Sequence, residues 1–137
     1  MWRQVWNTVF GALGAVAGFL WGGLTGMLIA LLAFMAFDYL SGVMVAIKKK
    51  KVSSAVGYKG LLKKAGILLC VAVGHVLDVY VLGGAAVMMT ACELFFIANE
   101  GISVLENLGR LGVPYPKKLK DVLEALKNKS EDKNKEE

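Results

Sequence analysis

Residues 48–64 read KKKKVSSAVGYKGLLKK and hold seven lysines, Lys48, Lys49, Lys50, Lys51, Lys59, Lys63 and Lys64, with no acidic residue. On one side, the 44 residues 4–47 carry one formal charge, Asp38; on the other, the 45 residues 65–109 carry no lysine or arginine. A basic stretch between two long apolar halves fits a chain whose halves are solvated by a bilayer. Composition agrees: 56% of the 137 residues are hydrophobic, and a mean hydropathy of +0.55 is high for a soluble chain of single-domain length. A helix crosses the ~30 Å hydrocarbon core with about 20 apolar residues, whereas either half as one helix would run roughly 66 Å. Each half is therefore expected to fold back on itself.

Gly22-Gly23 after Trp21, and Gly83-Gly84 shortly after Tyr80, mark the turn points. Paired glycines interrupt helices, and aromatic residues beside them suit the membrane interface. The expected fold is an all-α integral membrane protein of about four spans, near residues 5–21, 24–47, 61–82 and 85–108, arranged as two hairpins. In domain terms, residues 1–109 form a transmembrane helical unit around the basic loop 48–64. Residues 110–127 form a short amphipathic helix and 128–137 a disordered charged tail. By the positive-inside rule the loop and the segment 110–120 face the cytoplasm, which places both termini there as well. The net charge of +5 is thereby absorbed by topology, and nucleic acid is not an expected partner.

The first span could be taken for a secretory signal, since Arg3 precedes an apolar run and Ala15-Val16-Ala17 resembles a cleavage site; it is expected to remain as a span. Gly14, Gly18, Gly22 and Gly26 recur at four-residue spacing, which lets helix backbones approach closely in lipid. That stripe packs either within the chain or between subunits. Asp38 lies about 15 Å inside the basic boundary of the second span, deep enough to require water, a partner or the bundle interior. It reads equally as a hydrogen-bonded structural residue.

In the third span His75 and Asp78 share a helix face and can contact one another, as a buried polar pair that fixes packing or as the start of a proton path. A lone histidine without a second ligand at metal spacing does not suggest a metal site. Cys70 and Cys92 are expected as free thiols. The fourth span places Glu93, Glu100 and Asn107 in one stripe at seven-residue spacing, with Ser103 on the adjoining surface and Leu94, Phe95, Ala98, Ile102 and Leu105 opposite. Such a face lines a pore or a polar subunit contact, or else the span has already reached the interface by Asn99.

Beyond Pro114 and Pro116, Leu119, Val122, Leu123 and Leu126 follow amphipathic spacing with Lys117, Lys118 and Lys120 beside them, which suits an anionic membrane surface. The sequence has no phosphate-binding glycine loop, nucleophile elbow or metal-spaced cluster. No cofactor, metal or catalytic residue is expected, and the chain does not read as an enzyme.

Several segments together resemble the toxin-secretion and phage-lysis holin family. They are Asp38-Tyr39-Leu40-Ser41-Gly42, Ser53-Ser54 with Gly57-Tyr58-Lys59-Gly60 and Lys63-Lys64, the run Asn99-Glu100-Gly101-Ile102-Ser103-Val104-Leu105-Glu106-Asn107, and Leu111-Gly112-Val113-Pro114-Tyr115-Pro116. The resemblance spans about residues 37–126. It implies a small phage-encoded protein that accumulates and self-associates in the host cytoplasmic membrane and opens a timed lesion, through which an endolysin, or in some relatives a toxin, leaves the cell. The endolysin is then a functional partner without required direct contact. The alternative is a small four-span proton-coupled exporter or ion channel. Such exporters carry their essential glutamate in the first span, where this chain has no acid; a structural membrane adaptor is a third reading.

Overall fold

A computed structural model describes residues 1–133. Among them the chain is entirely helical: α1 Trp2–Trp21, α2 Gly26–Lys48, α3 Ser54–Tyr80, α4 Val87–Arg110 and α5 Lys117–Lys133. The glycine pairs are the turns the sequence marks. Gly22 and Gly23 have φ of 73° and 104°, and Gly83 and Gly84 of 88° and 99°, a left-handed region that side chains disfavour. Local caps start two of the helices. The Thr25 hydroxyl accepts from Leu28 N–H at the head of α2, and the Ser53 hydroxyl from Val56 N–H at the head of α3, each at 3.2 Å.

Three helices are long and apolar enough to cross a membrane: α2, α3 and α4. The all-helical membrane fold is thereby met in three spans; α1, the expected fourth, falls outside this set by length and composition. Its first two turns hold Arg3, Gln4, Asn7 and Thr8 among Trp2, Val5, Trp6 and Val9, which dilutes its hydropathy. None of its residues is buried. It meets the bundle only through α3, where Trp21 Nε1 donates to the Leu68 carbonyl at 3.0 Å and the Phe19 and Tyr80 rings lie 6.0 Å apart. Of the two expected hairpins, α3 and α4 pack together, whereas α1 and α2 diverge after the Gly22-Gly23 turn, and the most extensive contact is between α2 and α4.

The hub is α4, which packs on α2, α3 and α5. Leu28, Leu31 and Met35 of α2, Ile67 and Val71 of α3, and Met89 and Ile97 of α4 form the core. The basic residues gather at one end, where Lys48 Nζ donates to the Arg110 carbonyl at 2.9 Å. The glycine turns occupy the other end, with the His75 ring against Gly22.

α5 returns along α4 in the antiparallel sense. Leu123 lies on Gly101, where an added Cβ would come within 2.9 Å of Leu123 Cδ1, and the Lys127 ammonium sits 6.0 Å from the Phe95 ring centre. The apolar face of α4 expected to be its greasy exterior is thus covered by the chain itself. Helix continues to Lys133, into the segment whose composition reads as disordered; Ser130 is only 1% exposed, so packing holds this segment where hydrophobicity alone would not. The rest of that expected tail, 134–137, lies outside the described residues. Its many charges bar α5 from accompanying α4 into hydrocarbon. While α5 packs here, the covered face of α4 does not meet lipid.

Candidate functional site

Asp38, Lys64 and Glu100 stand at matching depths. Asp38 is ten residues before the end of α2, Lys64 ten residues after the start of α3, and Glu100 ten residues before the end of α4. At 1.5 Å per residue each lies about 15 Å from the basic end. The bundle brings them together: Lys64 Nζ donates to Asp38 Oδ2 at 2.9 Å and also to Glu100 Oε2. Their side chains are 14%, 18% and 7% exposed, respectively. Two carboxylates and one ammonium leave a formal charge of −1 at this level, stabilised by neutral donors nearby.

Asn107, two turns further toward the basic end, supplies those donors. Its Nδ2 donates to Asp38 Oδ1 at 3.2 Å and to Ser41 Oγ at 3.0 Å, and its Oδ1 accepts from Arg110 Nη1 at 3.3 Å. Ser41 in turn donates to the Asp38 carbonyl at 3.1 Å. Gly42 lies beside Asn107, where an added Cβ would be in ordinary van der Waals contact with Nδ2 at 3.8 Å. Ser103 is half-buried on the same side of α4.

The polar stripe of α4 therefore points into the bundle. Glu100 and Asn107 have partners on α2 and α3, and all three stripe residues are buried. Glu93 differs: it is 3% exposed and its Oε1 has no hydrogen-bond partner among the described residues.

The expected His75–Asp78 contact is replaced by another. Asp78 accepts from the backbone N–H groups of Met88 and Met89, both at 2.9 Å, and so caps α4 from the neighbouring helix. α4 has no side-chain cap of its own at Ala86, and the free N–H groups of its first turn favour a carboxylate. Gly74 makes the reach possible, since a Cβ there would lie 3.0 Å from Met89 N. His75, one turn earlier, turns instead toward Gly22. Cys70 and Cys92 are free thiols.

Of the glycine stripe, Gly14, Gly18 and Gly26 have no neighbour within 4 Å of an added Cβ, and Gly22 is the left-handed cap of α1. Gly14 and Gly18 line an open apolar groove of about 350 Å³ opposite Leu24, Leu28 and Leu32. Among the seven lysines, Lys64 alone turns into the bundle; Lys48, Lys49, Lys50, Lys51, Lys59 and Lys63 stay exposed. Sequence reasoning treats Lys64 as one more topology anchor and passes over Ser41. The equal ten-residue offsets from the helix ends are the signal by which the ion cluster could have been found.

No cluster of three or more metal-ligating side chains occurs among the described residues. Three apolar helices, a buried polar layer near their basic end and an amphipathic fifth helix describe a small membrane protein. Residues 15–128 match the bacteriophage holin family. The chain belongs to that family. The match takes in all three candidate spans and most of α5, but leaves most of α1 outside. The chain is similar to the uncharacterized 14.9 kDa protein in the nagH 3′ region of Clostridium perfringens, 41% identical over 124 residues, or 90% of this chain and 92% of that protein. An uncharacterized Listeria innocua protein is 38% identical over 119 residues, 87% of this chain and 84% of its own. An uncharacterized Bacillus subtilis protein is 35% identical over 122 residues, 89% and 86% of the two chains. No solved structure matches significantly. The holin family is one of membrane proteins and not typically enzymatic.

Proposed function

We propose that this holin accumulates and self-associates in the bacterial cytoplasmic membrane and opens timed lesions, through which an endolysin or a toxin crosses. The observation that carries the reading is the inward-facing stripe of α4, with Glu100 held by Lys64 and Asn107 by Asp38 and Ser41. A lesion former needs a dormant state in which polar groups are hidden from lipid and a second state in which they face water. Glu100 and Asn107, satisfied within one chain, supply the first state. Rearrangement of crowded subunits, exchanging those partners for water or for a neighbouring copy, supplies the second.

On this reading self-association uses α1. Gly14 and Gly18 face an open groove, so close packing there comes from another copy rather than from this chain. The basic loop and the α4–α5 connection face the cytoplasm by the positive-inside rule. Induction in a bacterium with and without a matched endolysin tests the function. Abrupt loss of viability in both, with lysis only when endolysin is present, is expected. Steady growth after confirmed membrane insertion would overturn the reading.

A further inference from the structure

The layer formed by Asp38, Lys64 and Glu100 has different neighbours on its two sides. Three residues deeper on each helix, about 4.5 Å, stand Met35 of α2, Ile67 of α3 and Ile97 of α4. All three are buried and belong to the apolar core, so a layer of ions rests on a layer of hydrocarbon. Toward the basic end, α2 and α3 instead stand apart around a cavity of about 740 Å³. It runs from the connection between them down to Asp38 and Lys64, with Glu100 and Asn107 of α4 behind. Ten of its eighteen lining residues are polar, from Lys51, Ser53 and Ser54 near the connection to Asp38, Lys63 and Lys64 at the deep end. The Tyr39 ring crosses toward α3, where a Cβ added at Gly57 would come within 3.2 Å of its hydroxyl oxygen, and sets a further polar group part-way up.

Water suits this lining. Buried waters are held by about two to four polar partners each, and at ~30 Å³ per molecule the volume takes on the order of 25 of them. Polar groups recur from one end of the cavity to the other, so a continuous column finds partners along its length. The ions need it. Asp38 and Lys64 keep part of their surface exposed and line the cavity, and Lys63 is exposed at the same depth. Turned toward hydrocarbon, such groups are costly, whereas a water-filled cavity solvates them. Below the ions the column must stop, because Met35, Ile67 and Ile97 offer no polar side chain and an apolar constriction dewets.

We propose that the α2–α3 cleft is a water-filled vestibule, open to the aqueous phase at the basic end and stopped by a plug of Met35, Ile67 and Ile97, which admits small aqueous solutes as far as the Lys64 clamp. The clamp is thereby wetted from one side of the bilayer while the bundle is closed. This depends on the chain lying in a bilayer and not on its opening a lesion.

Single cysteines test it, placed in the full chain with Cys70 and Cys92 replaced by Ala and reconstituted in bilayer discs of phosphatidylglycerol and phosphatidylcholine, which leave both membrane faces open. The discs are treated with the anionic sulfonatoethyl methanethiosulfonate, and modification is timed by mass spectrometry. Val43→Cys and Ala46→Cys lie on the cleft lining, whereas Leu40→Cys and Met44→Cys replace exposed α2 residues outside that lining at similar depths. The thiolate is the reactive form and needs water, so the cleft pair should react at least about tenfold faster than the outer pair. Ile67→Cys, in the plug, should be as slow as the outer pair. Adding Gly60→Leu, whose Cβ would lie 3.9 Å from the Tyr39 ring, fills the cleft and should slow Val43→Cys. Equal rates in the two pairs would overturn the vestibule: slow in both would give the cleft to lipid or a second copy, and fast in both would take α2 out of hydrocarbon. Ile67→Cys as reactive as Val43→Cys would remove the plug. An unaltered Val43→Cys rate with Gly60→Leu would show that the reagent arrives by another route and would equally overturn the proposal. The cysteine comparison decides by itself if Gly60→Leu fails to fold.

Discussion

Replacing Lys64 by Met removes the cation shared by Asp38 and Glu100 and leaves two carboxylates facing each other inside the bundle. Each now touches the same Nζ, so the carboxylates would remain about 5 Å apart, where two unit charges repel by about 3 kcal/mol at an effective dielectric constant of ~20. Breaking a buried pair on one side costs about 3–5 kcal/mol for the same reason. The exposures of 7–18% leave little water to screen them. Lys64→Met should therefore lose about 3–5 kcal/mol in detergent unfolding followed by helical circular dichroism. Adding Glu100→Gln should restore most of the loss, because Asp38 keeps its hydrogen bond from Asn107. The exposed Lys63→Met should stay within about 0.5 kcal/mol of wild type. In cells, Lys64→Met should advance the onset of dye permeability at equal protein level, since it weakens the dormant arrangement. A Lys64→Met protein as stable as Lys63→Met, or a double variant no better than the single, would refute the assignment of Lys64 as the clamp on the stripe.

Glu93→Leu removes a buried carboxylate whose Oε1 has no partner among the described residues and should raise stability by about 1–3 kcal/mol in the same unfolding assay. Gly14→Leu/Gly18→Leu fills the α1 groove, where an added Cβ meets nothing within 4 Å; weaker crosslinked oligomers and delayed killing are expected, with little change in monomer stability. Reporters after Val52 and Lys127 should read cytoplasmic and one at Gly84 external. A reporter ahead of Met1 should also read cytoplasmic, with α1 crossing as a fourth span, and a reading with Gly84 would leave three spans. A cleavable dithio-bismaleimide crosslink between Phe95→Cys and Lys127→Cys, in a chain with Cys70 and Cys92 replaced by Ala, should clamp α5 on α4 and delay permeabilisation until its disulfide is reduced; an unaltered onset would show that α5 need not leave.

The membrane class, the turn glycines, the basic end and the amphipathic fifth helix were legible from residues 48–64 outward. Each is a local property: hydropathy over about 20 residues, paired glycines where φ is positive, and lysines that must stay in water. The α4 stripe was legible as a stripe, since periodicity shows which residues share a face. What that face meets was not legible. Glu100 could equally have bordered a pore, a second subunit or the interface, and only the packing of α2 and α3 around α4 turned it toward Lys64. Asp78 shows the same limit, because a three-residue spacing permits a contact with His75 but says nothing of the α4 N-terminus that Gly74 brings within reach. The reach of α5 was likewise a tertiary matter. The sequence by itself determined which segments are helices and which groups cannot be left alone in lipid. Tertiary structure decided which partners satisfy them, because side-chain direction within one helix is local, whereas a hydrogen-bond partner on another helix depends on how the two are placed.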